Sequence, residues 1–155
     1  MTKTARTSYL IRRAQLLVYT NLTECLRAYG LTPIQYMMLS LSRRGGEMSS
    51  ADLARRFSIA PQSVNEMIAA LQRKKLIARR TTRENRRILR ISLTPEGKEL
   101  LRKCDRQVDR MEKRLFAPLS QTELAALRVG LATLIGSEGR NHQLSRAGPQ
   151  PEHFR

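Results

Sequence analysis

Between Ser49 and Leu93 the hydrophobic positions write two helical faces and then change their spacing. Leu53, Ala54 and Phe57 fall on one face of a short first helix, and Val64, Met67, Ile68 and Leu71 on one face of a second. Ser58 to Pro61 separates them, and Pro61 suits the first turn of a new helix. From Leu89 the period becomes two: Leu89, Ile91 and Leu93 alternate with Arg90 and Ser92, the pattern of a half-buried strand. Leu76 to Arg79 supplies a partner strand, and the loop at 80–87, RTTRENRR, is polar and strongly basic. Two short helices joined by a tight break and followed by a basic hairpin describe a winged helix-turn-helix.

The flanking segments are helical. Ile11, Ala14, Val18, Leu22 and Cys25 recur at spacings of three and four, and Gly30 stands where glycine commonly follows a helix. Thr32-Pro33-Ile34-Gln35 joins a cap, a first-turn proline and a reciprocal glutamine. The helix it opens is apolar nearly all round through Tyr36, Met37, Met38 and Leu39, which predicts a central, covered element. Thr94-Pro95-Glu96-Gly97 repeats the device before a long helix with Leu101, Cys104, Val108, Met111 and Leu115 along one seam. After Pro118, Ser120 to Glu123 is a capping box, and Leu124, Leu127, Leu131 and Leu134 continue the helical spacing. The tail from Gly136 is rich in Gly, Pro, Gln and Ser, a composition that predicts disorder over 137–155.

The expected fold class is therefore mainly α with a small β wing. A single domain is read with a winged-helix lobe over 32–94 and outer helices over 8–30 and 95–136. Those outer helices carry apolar faces that residues 49–93 cannot cover alone. They form either an intramolecular bundle or a dimer interface through Leu10, Ile11, Leu115, Leu124, Leu127, Leu131 and Leu134. The dimer is favoured, because two modules related by a two-fold match half-sites about one duplex turn apart.

Charge sharpens the picture. The chain has 155 residues and a formal net charge of +16, from 29 basic against 13 acidic side chains. Arg73, Lys74, Lys75, Arg79, Arg80, Arg83, Arg86, Arg87 and Arg90 crowd onto the hairpin and the helix end before it, against Glu84. Such self-repulsion makes sense with a polyanionic partner, and double-stranded DNA is the partner expected. No apolar run approaches the roughly eighteen residues that span a bilayer, and no export signal opens the chain, so a cytoplasmic, nucleoid-associated protein without membrane contact is expected.

Catalytic chemistry has little to work with. Both histidines, His142 and His153, fall in the tail, and no Ser-His-Asp, Cys-His or paired-carboxylate set can be assembled, so no enzyme is expected. No cluster has metal-ligand spacing, and neither metal nor cofactor is expected. Cys25 and Cys104 lie on apolar helical faces and read as small core hydrophobes, with a thiol-sensing regulator using either one as an alternative.

With Val64, Ile68 and Leu71 facing the core, the second helix of the pair turns Gln62, Ser63, Asn65, Glu66 and Ala69 outward. Gln and Asn pair with adenine edges, Glu with cytosine, and Ala69 suits a thymine methyl. Ser49, Ser50 and Arg73 are candidates for phosphate contacts. Arg87, with Arg86 or Arg83, suits insertion into a narrow minor groove. A non-specific architectural DNA- or RNA-binding protein is the alternative on charge alone.

LTPIQYMML at 31–39, SSADLARRF at 49–57, LIARR at 76–80 and above all RRILRISLTPEGKELL at 86–101 resemble the MarR family of bacterial transcription regulators. The likeness runs from about Ser8 to Ile135. It implies an obligate homodimer whose helix from Pro61 enters the major groove of a pseudo-palindromic operator while the wing reaches the minor groove. It also implies repression, relieved by a small aromatic or phenolic anion held between the DNA-binding and dimer helices. Tyr9, Arg12, Arg13 and Tyr19 facing Tyr36, Met37 and Ser40 are the expected pocket residues. This chain departs from the family pattern in four places. Lys75 replaces the usual glycine after the recognition helix, requiring a left-handed backbone at a cost of about 1 kcal/mol. Asn85-Arg86-Arg87 replaces Asp-x-Arg in the wing, and Thr82 replaces an earlier wing aspartate, removing negative charge. Ile11 stands in the region where the oxidation-sensing branch has its cysteine.

Overall fold

The computed structural model describes residues 5–43, 47–48, 50–81 and 89–144, with side chains over 5–43, 50–78 and 91–136. In chain order the elements are α1 (Thr7–Arg27), α2 (Pro33–Arg43), β1 (Glu47–Met48), α3 (Ser50–Phe57), α4 (Pro61–Arg73), β2 (Ile77–Thr81), β3 (Leu89–Leu93), α5 (Pro95–Leu115) and α6 (Gln121–Leu144). This is the mainly helical, winged helix-turn-helix arrangement that the spacing predicts. The sheet has one strand more than expected: its order is β1-β3-β2, antiparallel throughout, with Glu47 opposite Arg90 and Ile77 opposite Leu93. A two-residue strand is too short to leave a period in the sequence.

Helix ends are set locally, as their sequences predict. Gly30 follows α1 at φ 62, its amide reaching Arg27 O at 3.0 Å while Leu31 N reaches Leu26 O at 3.5 Å. Most side chains pay for that left-handed turn, which glycine takes freely. Thr32 and Gln35 form the reciprocal box before α2, with Gln35 N donating to Thr32 Oγ1 at 3.2 Å and Thr32 N to Gln35 Oε1 at 3.1 Å.

Residues 1–113 form one compact unit and 114–155 a second. In the first, Leu26, Met38, Leu39, Leu53, Val64, Ile68, Leu71, Ile91, Leu101 and Cys104 make a core from α1, α2, α3, α4, β3 and α5. Burying each larger aliphatic side chain there contributes about 1.5–3 kcal/mol. The α5 seam behaves as read: Leu101, Cys104, Val108 and Met111 are buried and Leu115 is half-buried.

The first two helices differ in how far the first unit covers them. In α2 Pro33, Met38, Leu39 and Ser42 are buried and Ile34, Gln35, Tyr36, Ser40 and Leu41 half-buried, so the helix is largely covered and only Met37, at 38%, and Arg43 are exposed. In α1 only Leu26 is buried; Ile11 and Ala14 are exposed, and Val18, Leu22 and Cys25 half-buried. Periodicity identifies a face but says nothing about whether one chain is enough to cover it.

In the second unit Ser120 and Glu123 make the expected box, with Glu123 N donating to Ser120 Oγ at 3.2 Å and Ser120 N to Glu123 Oε2 at 2.8 Å. Leu124 is half-buried, and Leu127, Leu131 and Leu134 are exposed, as are Val129 and Ile135. Backbone helix continues to Leu144, past the Gly136 boundary that composition suggested. Isolated glycines cost a helix about 1 kcal/mol each without terminating it. The rest of the tail, 145–155, lies outside the described residues.

Candidate nucleic-acid interface

The turn between α3 and α4 is built by the backbone. Ser58 takes φ 53, Ser58 N reaches Arg55 O at 3.3 Å, and Ile59 N reaches Ala54 O at 3.0 Å. This closes α3 with a left-handed residue that is not glycine. Ala60 then precedes Pro61, the first residue of α4, with no side-chain cap. Val64, Ile68 and Leu71 are buried, as the spacing predicts, and Gln62, Ser63, Asn65, Glu66 and Arg73 are exposed. Ala69 is half-buried rather than fully outward, because it sits toward the flank of the buried stripe.

Two hydrogen bonds organise the exposed face. Gln62 Nε2 donates to Glu66 Oε1 at 3.3 Å, and Ser50 Oγ donates to Asn65 Oδ1 at 2.7 Å. The Ser50 hydroxyl, expected to meet phosphate, thus points its proton at α4. Ser49, Arg83, Arg86 and Arg87 lie outside the described residues. Two cations that sequence reading passed over, Arg55 and Arg56 on α3, are exposed, Arg55 paired with Asp52. Their helix looked like scaffold because its apolar face dominates the pattern.

The far end of α4 is tied down more firmly than sequence suggests. Lys75 has φ 57, the left-handed conformation expected of a residue replacing glycine there. Its amide reaches Gln72 O at 2.8 Å and Leu76 N reaches Leu71 O at 3.0 Å. Lys74 Nζ donates to Gly30 O at 2.6 Å, joining the end of α4 to the turn after α1. Thr94 accepts from Gly97 N at 3.0 Å as a helix cap, and its hydroxyl donates to Lys75 O at 2.6 Å. Thr94 N also donates to Leu76 O at 3.1 Å. A Cβ on Gly97 would stand 1.9 Å from Leu76 O, so the Thr-Pro-Glu-Gly run lets α5 start hard against the segment leaving α4.

Tyr36, Met37 and Ser40 line a cavity of about 470 Å³ between α2 and α3, together with Arg43, Arg56 and Phe57. Behind it Asp105 of α5 accepts from the Tyr36 hydroxyl at 2.8 Å and from Arg43 Nη1 at 2.5 Å. Burial first, and the Asp105 carboxylate second, push the Tyr36 hydroxyl well above the ordinary tyrosine range. Tyr9, Arg12, Arg13 and Tyr19 do not line this cavity. Arg12 is bonded to Gln15 at 2.5 Å, and the Arg13 guanidinium lies 5.9 Å from the centre of the Tyr9 ring. Those pairs are neighbours on α1, brought together by the helix itself.

Among the described residues no three His, Cys, Asp or Glu side chains converge as metal ligands, and no helix is long and apolar enough to cross a membrane. Cys104 is fully buried, which pushes its thiol up to about 11, with Asp105 and Cys25 adding to the shift.

Residues 29–88 match the profile of the MarR family. The uncharacterized HTH-type transcriptional regulator YhbI of Bacillus subtilis is 31% identical over 103 residues, 66% of this chain and 67% of its own length. The HTH-type transcriptional repressor Rv2887 of Mycobacterium tuberculosis is 28% identical over 112 residues, 72% of this chain and 81% of its own. A crystal structure of Rv2887 with salicylic acid superposes with a TM-score of 0.70 at 25% identity, covering 86% of this chain and 99% of that one. The transcriptional repressor CouR bound to a 23-mer DNA duplex superposes with a TM-score of 0.75 at 28% identity, covering 84% and 92%. Sequence and fold agree: the chain belongs to the MarR family of winged helix-turn-helix, DNA-binding transcriptional regulators, which are not enzymes.

Proposed function

We propose that the protein acts as a homodimeric repressor on a pseudo-palindromic operator and is released by a small aromatic acid. The observation that carries this reading is the face of α4, where Val64, Ile68 and Leu71 hold the helix in the core while Gln62, Ser63, Asn65 and Glu66 are exposed on the opposite side. In this reading α4 lies in the major groove, and Arg83, Arg86 and Arg87 of the hairpin loop reach the adjacent minor groove. Arg73, Ser49 and Ser50 stand toward phosphates, Ser50 through its backbone at the start of α3. The second copy covers the apolar residues left exposed on the outer helices, Leu10 and Ile11 of α1 and Leu127, Leu131 and Leu134 of α6, and also half-buried Leu115 and Leu124. Residues 8–30 and 95–136 are then the dimerisation part and 32–94 the DNA-binding lobe.

The effector site in this reading is the α2–α3 cavity. Its Tyr36, Met37 and Phe57 suit a ring, and Arg43 and Arg56 suit a carboxylate. That Rv2887 has been crystallised with salicylic acid supports the ligand class.

Footprinting on the upstream region of the protein's own coding sequence, with sedimentation of the complex, tests the whole. The expected result is one protected pseudo-palindrome holding two chains, with Arg87→Ala lowering the salt slope of binding by about one. A stable monomer, or equal affinity for unrelated duplexes and RNA, overturns it and favours non-specific binding. Salicylate titrated into the complex reads the effector part separately.

A further inference from the structure

We propose that Glu66 and Gln62 form one reading unit that selects a cytosine in each half-site, and that Asn65 positions α4 rather than reading a base. The proposal rests on the placement of α4 in the major groove. Residues 61–72 contain no lysine or arginine, so Arg73 is the first cation on α4. The commonest specific contact, a guanidinium or ammonium on guanine O6 and N7, is therefore missing from the part of the helix whose residues stand free. The ionised group on that face is instead Glu66, an acceptor without a proton to give.

A carboxylate carried between two phosphate backbones is repelled unless it takes a hydrogen from the base edges. Only two groups in the major groove offer one, the N4 amino group of cytosine and the N6 amino group of adenine. The bond from Gln62 Nε2 to Glu66 Oε1 occupies one carboxylate oxygen and sets the direction of the group. Glu66 Oε2 and the Gln62 carbonyl remain as two acceptors on one face of the helix, a turn apart. Adenine N6 lies between acceptors, its own N7 and the O4 of the paired thymine, and these oppose such a pair. Cytosine N4 has the C5–H edge on one side, so a second acceptor meets no negative atom there. Cytosine is the better match.

Asn65 is committed elsewhere. Its Oδ1 accepts from Ser50 Oγ at 2.7 Å, and Ser50 is the first residue of α3. The side chain is thereby drawn toward the neighbouring helix and holds the angle between the two members of the pair.

Selection of bound sites from random duplexes, with the full chain and its variants, tests this. Wild type is expected to enrich cytosine at one symmetric position of each half-site, and changing that C·G pair to T·A should weaken binding about 10- to 100-fold. Glu66→Ala should lose the preference at that position alone and feel the same change less than about threefold. Glu66→Gln, which keeps shape and adds a donor, should move the preference toward adenine. Ser50→Ala, Asn65→Ala and the double variant should weaken binding to every site by one common factor with the profile unchanged. An unaltered profile in Glu66→Ala, or a base preference that disappears with Asn65→Ala, overturns the proposal. A wild-type pool with no enriched motif overturns the groove placement itself, and the proposal with it.

Discussion

Replacing Gly97 by alanine sets two physical arguments against each other. Gly97 lies in the first turn of α5, where helix propensity alone favours alanine by up to about 1 kcal/mol. The close approach says the opposite. The new Cβ would stand 1.9 Å from Leu76 O and 2.9 Å from Leu76 C, both backbone atoms that no rotamer change can move. The start of α5 and the Leu76 backbone must separate by more than an ångström. Three hydrogen bonds cross or brace that contact: Thr94 N to Leu76 O, Thr94 Oγ1 to Lys75 O, and Gly97 N to Thr94 Oγ1. Losing two of them at about 1 kcal/mol each, with overpacking of about 1–3 kcal/mol, gives a destabilisation of about 3–5 kcal/mol. At roughly 2–4 °C per kcal/mol for a chain of this size, the melting temperature should fall by about 6–20 °C. Differential scanning calorimetry at fixed protein concentration, with a urea titration beside it, measures both quantities. Binding to a fixed duplex should weaken as well, since Leu76 leads directly out of α4. A melting temperature equal to or above that of wild type would refute the close-approach argument and leave propensity in charge.

The opposite outcome is expected at Lys75, where glycine relieves the left-handed conformation at φ 57. Lys75→Gly should raise stability by up to about 0.5 kcal/mol, after allowing for the freer unfolded chain, and the urea midpoint should rise without a change in slope. A lower midpoint would mean that the lysine side chain contributes more than its backbone costs. Cys104 should resist alkylation. Raised from 9.0 to about 11, its thiolate fraction at pH 8 falls about a hundredfold, and burial adds to the protection. Mass-spectrometric labelling with iodoacetamide should modify it in urea but not in the folded protein; rapid native labelling would revive a thiol-sensing role.

Much of this protein follows from short-range sequence. Thr32 with Gln35 and Ser120 with Glu123 cap their helices through contacts three residues apart, and such contacts need nothing from the rest of the chain. The core face of α4 at Val64, Ile68 and Leu71 was legible for the same reason, since a single helical period fixes which residues turn inward together. Even the left-handed Lys75 follows from the residue standing where a glycine is usual. The long-range associations were not legible. Asp105 lies 62 residues from Arg43 and 69 from Tyr36, and no period relates them. Of the residues grouped from sequence, Tyr36, Met37 and Ser40 line one cavity, beside Arg43, Arg56 and Phe57, which no local spacing connects to them.

The hydrophobic period and the capping residues by themselves determined the order and type of the helices and the hairpin, because each depends on neighbours within a turn or two. Only the tertiary structure decided how those pieces are pinned together. Gly97 opens a space for Leu76 O, Thr94 bonds two segments at once, and Lys74 reaches back to Gly30. Backbone carbonyls are the partners in all three, and every residue carries one, so side-chain identity gives no sign of which will be used.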